Sequence, residues 1–459
     1  MTLTCTGFPK QAIAVGEGFG FPKIRVAEYP GHVSTHKKEA RLKNYREGLL
    51  PEVRRLLTQA VPEEKVTNLS ADPGSREIVF KGTFEEVNRY FYEKTWSDGL
   101  PIVPPTIEKV EAFLRYTDRS PEERLGNYLP SGRVATVWTV AVNGVMAGCR
   151  PEYMPVLLAI AEAVADPKYR IQDGGSTPGW EAAIILNGPI SQQLGFNDRE
   201  GVRRPGYQAN TSVGRFYRLF ARNVPRLLPG VSDKATFGQM FRAVIPESED
   251  VSAEVGWEPL SVQRGMKKGE NAVTIFSVRY ESPPTTTAGK TTEEHLDRMA
   301  LWLAYQSEVG LSSSKDMAVA LLVSPVVARE IAKGGYTVKK LKEYLFEHSK
   351  LPAREWEIKM RSYLWSGSSL MRDTRNKNVT ACDLVREKML EKQYCESEDP
   401  GRLLPVYYSP DQLMVVVTGD PSRNRHMLLF NNQEQGLPVS KRIRTPRNWE
   451  QLLKDAKDK

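Results

Sequence analysis

The residue of this chain best placed to do chemistry is a cysteine just ahead of a proline-initiated helix. In Gly144-Val145-Met146-Ala147-Gly148-Cys149-Arg150-Pro151-Glu152-Tyr153, Pro151 suits the first turn of the helix that follows. Cys149 then falls where unpaired N–H groups and the positive end of the helix dipole favour a thiolate, and Arg150 adds a cation next to it. The expectation is a thiol of lowered pKa in an electropositive, partly exposed setting. The competing reading is a small residue packed under a Gly-rich turn.

Other segments offer polar groups at places where ligands bind. Asn187-Gly188-Pro189 follows the apolar run Ala183 to Leu186, and the carboxyl end of a strand is where open α/β sheets hold ligands. It reads equally as an ordinary strand-ending turn. The loop Gly201 to Ser212 carries Arg203, Arg204, Gly206 and Asn210 ahead of a helix, a composition suited to a carboxylate or phosphate. No P-loop sequence is present, and Gly16-x-Gly-x-Gly20 is not followed by the helix that a dinucleotide fingerprint needs. Thr418-Gly419-Asp420 to His426 joins a strand-end turn to basic groups and a histidine, and reads as a ligand loop or a solvated one. His32 and His36 lack acidic or thiol partners at ligand spacing, so no dedicated metal site is expected. The sequence does not identify a cofactor, and a metal or flavin supplied by a partner stays open.

The elements that must position these groups alternate. The first 60 residues read as a strand (Thr2 to Thr6), a Gly-rich turn (Gly16 to Gly20), a strand (Ile24-Arg25-Val26) and a helix from about Lys37 to Gln59. Residues 61–76, with Pro62, Pro73 and Gly74, read as a linker. The main domain is expected over 77–437 and a basic tail over 438–459. Within the main domain Phe84 to Tyr92 suits a helix, and Trp96 to Pro105 is too rich in breakers for one. A β-rich run follows at Val134 to Val142, then a helix (Glu152 to Ala165), a strand (Ala182 to Leu186) and a helix (Asn210 to Asn223). Further on come a strand (Ala272 to Arg279), a helix (Glu293 to Gln306), a buried strand (Met317 to Val323), a helix capped by Ser324-Pro325 and stopped by Gly334-Gly335, a helix (Val338 to Glu347) and a strand (Met414 to Thr418). Ser282 to Thr292 reads as an exposed loop. Such alternation predicts an α/β fold of layered mixed sheets with flanking helices, plus a short N-terminal α/β module.

Bulk composition narrows the class. Over 459 residues, 40% are hydrophobic and 26% charged, as in a folded globular chain. No run approaches the roughly 18 apolar residues of a membrane span, and Met1 to Lys10 lacks the pattern of a secretory signal. The four cysteines show no close CxxC pair, so reduced thiols in a cytoplasm are expected rather than a disulfide framework. The net charge of +8 is a mild, scattered excess without a nucleic-acid-binding motif.

A resemblance adds to this. Trp96-Ser97-Asp98-Gly99-Leu100-Pro101-Ile102-Val103-Pro104-Pro105-Thr106, Asn143 and Met146 to Tyr153 resemble bacterial proteins associated with the UGSC family of selenoproteins and their cysteine relatives. Asn187-Gly188-Pro189 and the Ser324-Pro325 helix running to Gly335-Tyr336 fit the same likeness. Cys5-Thr6-Gly7-Phe8 through Tyr29-Pro30-Gly31-His32 resembles the C-terminal half of a UGSC module. The resemblance implies redox or C–X bond-cleaving chemistry, although no Cys-Gly-Ser-Cys or selenocysteine equivalent occurs, and it implies a partner chain carrying the missing half.

The function expected from the sequence is a subunit of a thiol-dependent enzyme acting on a small anionic molecule. Cys149 would be the thiolate, Arg150 would hold the thiolate or the substrate's charge, and Asn143 would donate hydrogen bonds, with Glu152 beside them. Asn187, Gly188, Arg203, Arg204, Asn210 and Asp98 would bind substrate. The N-terminal strands, marginal as a pair, would dock on a second copy or a distinct subunit. Two alternatives are a non-catalytic partner-binding subunit and a hydrolase or lyase using carboxylates such as Asp98 and Glu152.

Overall fold

A computed structural model describes residues 1–33, 35–60, 73–74, 76–239, 244–307, 315–363 and 379–457. The expected linker, 61–76, lies outside the described residues except for Pro73, Gly74 and Arg76. The fold is α/β, with mixed sheets and flanking helices. Its contacts form two compact units. The first comprises Met1–Trp180, Ser212–Arg242 and Arg444–Lys459, and the second Glu181–Thr211 and Ala243–Ile443.

The first unit opens with β1 (Thr2–Cys5) and β2 (Val26–Tyr29), paired in parallel as a two-stranded sheet. The crossover between them contains a helix, Pro9–Gly18, where the sequence suggested only a Gly-rich turn. Pro9 sits in its first turn, and Gly16 and Gly18 close it against Ile24 and the Pro130 carbonyl, where a Cβ would not fit. The expected helix from Lys37 to Gln59 is Lys38–Asn44 and Leu50–Thr58 joined by a π turn. Ala27, Tyr29 and Leu49 form its small core.

Further along, β3 (Arg124–Tyr128) and β4 (Arg133–Thr136) make an antiparallel hairpin. Here the sequence reading needs correcting. The β-rich run expected over Val134 to Val142 is strand only to Thr136; Val137–Ala147 is a helix. Thr136 caps it, its side chain accepting from the Thr139 N–H while Thr139 returns to the Thr136 N–H. The helix is apolar almost all round and nearly wholly buried, and tertiary burial of that kind overrides the β propensity of its valines. It packs with Met154–Ala165, which is buried along most of its length and begins after a short 3-10 turn, Pro151–Tyr153. The end of the chain, expected as a basic tail, adds the Trp449–Lys457 helix to this unit, with Trp449 against Tyr116.

The second unit holds β5 (Glu181–Asn187), β6 (Val244–Pro246), β7 (Ala272–Val278), β8 (Tyr280–Glu281), β9 (Val319–Val323), β10 (Lys350–Pro352), β11 (Leu403–Pro405), β12 (Leu413–Val417), β13 (His426–Phe430) and β14 (Val439–Arg442). One mixed sheet runs β14-β7-β5-β6 and another β12-β9-β13-β8, while β10 and β11 pair alone. β5 is parallel to β6 and β9 to β12, and the near-continuous apolar runs of these strands reflect burial on both faces. The ends of β6 and β12 meet: the Ser248 N–H donates to the Val417 carbonyl at 2.8 Å, and the Thr418 hydroxyl to the Pro246 carbonyl at 2.9 Å. Helices Thr292–Gln306, Pro325–Lys333 and Val338–His348 cover the core.

One further expectation is corrected here. Cys382 and Cys395, expected as reduced thiols, form a disulfide across 13 residues, a spacing no CxxC pattern marks. The Ser282 to Thr292 segment is mostly exposed, as expected, although Thr287 is fully buried and bonded to Asn424 and His295.

Candidate functional site

Cys149 sits in the backbone position that the sequence suggested. The Val137–Ala147 helix ends at Gly148 in the left-handed region (φ 78°), the Cys149 N–H donates to the Gly144 carbonyl at 3.0 Å, and Arg150 is extended ahead of Pro151. The electrostatics differ from expectation. Cys149 is buried, 8% exposed, and burial pushes its thiol from 9.0 up to about 12. The Ser212 hydroxyl and the Arg215 charge oppose that rise and are outweighed by it. Arg150 does not face the thiol in a holding role; its guanidinium pairs with the buried Glu152 carboxylate and lies 5.8 Å from the Tyr153 ring. A thiol so placed is overwhelmingly neutral near pH 7.

Asp98 likewise has a structural partner. Its carboxylate accepts two hydrogen bonds from Arg215, from Nε at 3.1 Å and from Nη2 at 2.9 Å. Arg215 also donates to the Pro101 carbonyl at 2.9 Å, so the proline-dense segment is pinned to the Gln208–Asn223 helix. Asp98 and Glu152 therefore do not form a carboxylate pair; each is bound to its own arginine.

Asn143 leads to a cavity. Its Nδ2 donates to the Thr139 carbonyl at 2.9 Å, and its Oδ1 accepts from Asn223 Nδ2, also at 2.9 Å. Asn223 Nδ2 donates as well to the Trp96 carbonyl at 3.1 Å, which fixes the orientation of both amides. The two side chains form part of the wall of a cavity of about 1150 Å³ within the first unit. Rings and aliphatic groups dominate the rest: Phe80, Phe84, Phe91, Trp96, Trp138, Val142 and Met146. Phe91 and Trp96 meet edge to face at 5.4 Å, and the Arg76 guanidinium lies 5.1 Å from the Trp138 ring. Arg133, on the same wall, donates to the Asn223 carbonyl at 2.9 Å. The sequence reading marked Asn143 and missed the rings. The spacing of Phe80, Phe84, Phe91 and Trp96 ahead of the proline segment was the available signal.

The remaining expected residues belong to the second unit, and of these Asn187 and Gly188 lie at the carboxyl end of a strand. Asn187 and Gly188 end β5, and Gly188 has φ 95°, with Asn271 where a Cβ would stand. Asn187 Nδ2 donates to Glu247 at 2.8 Å and to Glu249 at 2.9 Å, and the Gly188 N–H donates to Glu249 at 2.8 Å. Glu247 is 4% exposed and also accepts from the Leu260 N–H at 2.8 Å and the Ser252 hydroxyl at 3.3 Å. Burial pushes its carboxyl from 4.5 up to about 7, with the Glu249 charge adding to the rise and the hydrogen bonds opposing it. Neither glutamate was marked from the sequence, although Glu247-Ser248-Glu249 directly follows the apolar strand β6.

Around that cluster, Thr418 and Gly419 reach the Asp198 carbonyl, the hydroxyl at 3.3 Å and the N–H at 2.8 Å. His426 lies within β13 rather than on the loop, and burial lowers its imidazole to about 4. Asn210 is buried and bridges Asn197 to the Val244 carbonyl. Arg203 pairs with Glu281, while Arg204 is exposed. The two arginines thus do not converge on one anion site. Among the described residues no three His, Cys, Asp or Glu side chains gather as metal ligands, and no helix is long and apolar enough to cross a membrane.

The chain matches no protein-family model, and no curated protein or solved structure resembles it significantly.

Proposed function

We propose that this chain binds a small amphipathic molecule, with an apolar, ring-sized body and an anionic end, in the cavity of the first unit. The observation that carries this reading is the cavity itself, about 1150 Å³ with walls of aromatic and aliphatic side chains and a fixed amide pair. That size suits a whole small organic molecule, since ligand clefts commonly measure about 300–1,000 Å³. The amide pair and Arg133 supply the few polar groups that orient a ligand in an apolar site. Charge favours an anion, because four cationic residues on the wall (Arg76, Lys81, Lys109, Arg133) face two acidic ones (Glu77, Glu108). Ile78, Phe80, Phe84 and Ile107 expose large apolar surface on these same walls, a patch of the kind that marks ligand-binding grooves.

Thiol chemistry at Cys149 has weaker support, because burial works against the thiolate that such chemistry needs. The test of the binding reading uses an anilinonaphthalene sulfonate probe, which has rings and a single negative charge. Its fluorescence should rise on binding, and Trp96 and Trp138 emission should be quenched. Val142→Trp, which narrows the cavity, should weaken binding about tenfold or more while the fold is kept. Unchanged affinity in a folded Val142→Trp protein would remove the cavity from the function.

A further inference from the structure

The second unit contains a group of side chains that ligand binding in the first does not use. Asn187 Nδ2 donates to Glu247 at 2.8 Å and to Glu249 at 2.9 Å, so two carboxylates share one amide group. Glu247 is buried, and no cation pairs with either carboxylate among the described residues. Two like charges on one shared amide, one of them out of water and without a counter-ion, are strongly disfavoured; a proton is the simplest neutraliser.

We infer that the Glu247–Asn187–Glu249 cluster holds one proton in the folded protein and acts as a proton-sensitive latch on the carboxyl end of β5. With Glu247 neutral, its Oε1–H can donate to the Ser252 hydroxyl while Oε2 still accepts from Asn187 and the Leu260 N–H. The latch then joins the end of β5 to the Glu249–Glu254 and Leu260–Gln263 helices. When that proton leaves, two negative charges confront each other across one amide. Glu249, only partly buried, is the member free to swing into water, releasing the Gly188 N–H that it holds at 2.8 Å.

The groups facing Glu247 from each side are Asn187 from β5, Ser252 and Glu249 from one helix, the Leu260 backbone from the next, and Val417 from β12. Of these only Glu249 titrates. Burial, aided by Glu249, pushes the Glu247 carboxyl up to about 7, which places the release close to neutral pH. The segment it governs lies at the strand ends where α/β sheets bind ligands.

Hydrogen–deuterium exchange of the full chain, read by mass spectrometry and corrected for intrinsic rates, tests the latch. Protection of the peptide containing Gly188 should fall more than about tenfold as pH rises toward about 7, then level off. Glu247→Gln, neutral at every pH, should remove that fall. A flat wild-type profile, or a fall that persists in Glu247→Gln, would overturn the inference. Should Glu247→Gln not fold, Glu249→Gln serves instead: without the second charge the fall should move to lower pH, and an unmoved profile counts against the latch.

Discussion

Cys149 and Glu247 are two acids in comparable surroundings with different consequences. Each is buried, and in each burial is the largest influence on the proton. The thiol rises from 9.0 to about 12 and the carboxyl from 4.5 to about 7. Cys149 has the Arg215 charge to draw it back, whereas Glu247 has a like charge, Glu249, to push it further. Loss of hydration acts on both in the same direction, but the starting values differ. A buried carboxyl arrives near neutrality, where it can switch. A buried thiol moves away from neutrality and becomes inert. Position before a helix start, which made Cys149 attractive in the sequence, is a smaller influence than burial.

The comparison can be broken most directly at the thiol. With its proton held to about pH 12, Cys149 should react with iodoacetamide at pH 7 about a thousandfold more slowly than a free cysteine of pKa 9.0. Peptide mass spectrometry after timed labelling reads this, and labelling as fast as in the unfolded chain would reverse the assignment of the thiol as inert.

The pair beside the thiol provides the next largest effect. Arg215→Ala removes both guanidinium hydrogen bonds to the Asp98 carboxylate, whose side chain is 3% exposed, and should cost about 3 kcal/mol in urea unfolding. A cost below about 1 kcal/mol would show that water reaches Asp98.

For Glu247 the sign follows from linkage. Its folded pKa lies above its unfolded one, so the native state binds more protons between pH 4.5 and about 7. The stability this contributes is fully present below pH 4.5 and is lost as pH rises through about 7. The loss is at most about 3 kcal/mol, because one pKa unit corresponds to about 1.4 kcal/mol. Urea unfolding of the second unit across that range should show the decline, and Glu247→Gln should lessen it. A rise in stability over the same range would place the Glu247 proton on the unfolded chain instead.

The smallest effect is expected at Glu249, which is partly exposed. Glu249→Gln should shift the midpoint of that decline to lower pH by less than about one unit, because burial, not Glu249, is the larger cause of the Glu247 rise. A larger displacement would make the charge pair, rather than desolvation, the main difference between the two acids.

Much of the fold was legible in the residue pattern because the signals were local. Ala182 to Leu186, Ala272 to Arg279 and Met414 to Thr418 are mostly apolar runs of strand length, and β5, β7 and β12 lie there. Ser324-Pro325 and Gly334-Gly335 bracket a helix through backbone preferences that need no tertiary partner. Where the sequence misled, distant atoms decided. The valines of Val137–Ala147 favour strand by propensity, yet the helix is stabilised by burial on all sides. Cys382 and Cys395 meet only because the chain folds back between them.

By itself the sequence determined the α/β class, the strand-end position of Asn187-Gly188 and the place of Cys149 ahead of a helix start. All three follow from periodicity and from the backbone limits of glycine and proline. Tertiary structure alone decided that Cys149 is buried, that Asp98 pairs with Arg215, and that Asn143 joins Asn223 in the wall of a ring-lined cavity. It alone placed Glu247 and Glu249 on one amide. Solvation and charge pairing depend on atoms scores of residues apart, and the energy of a buried ionisable group is set by those distant neighbours.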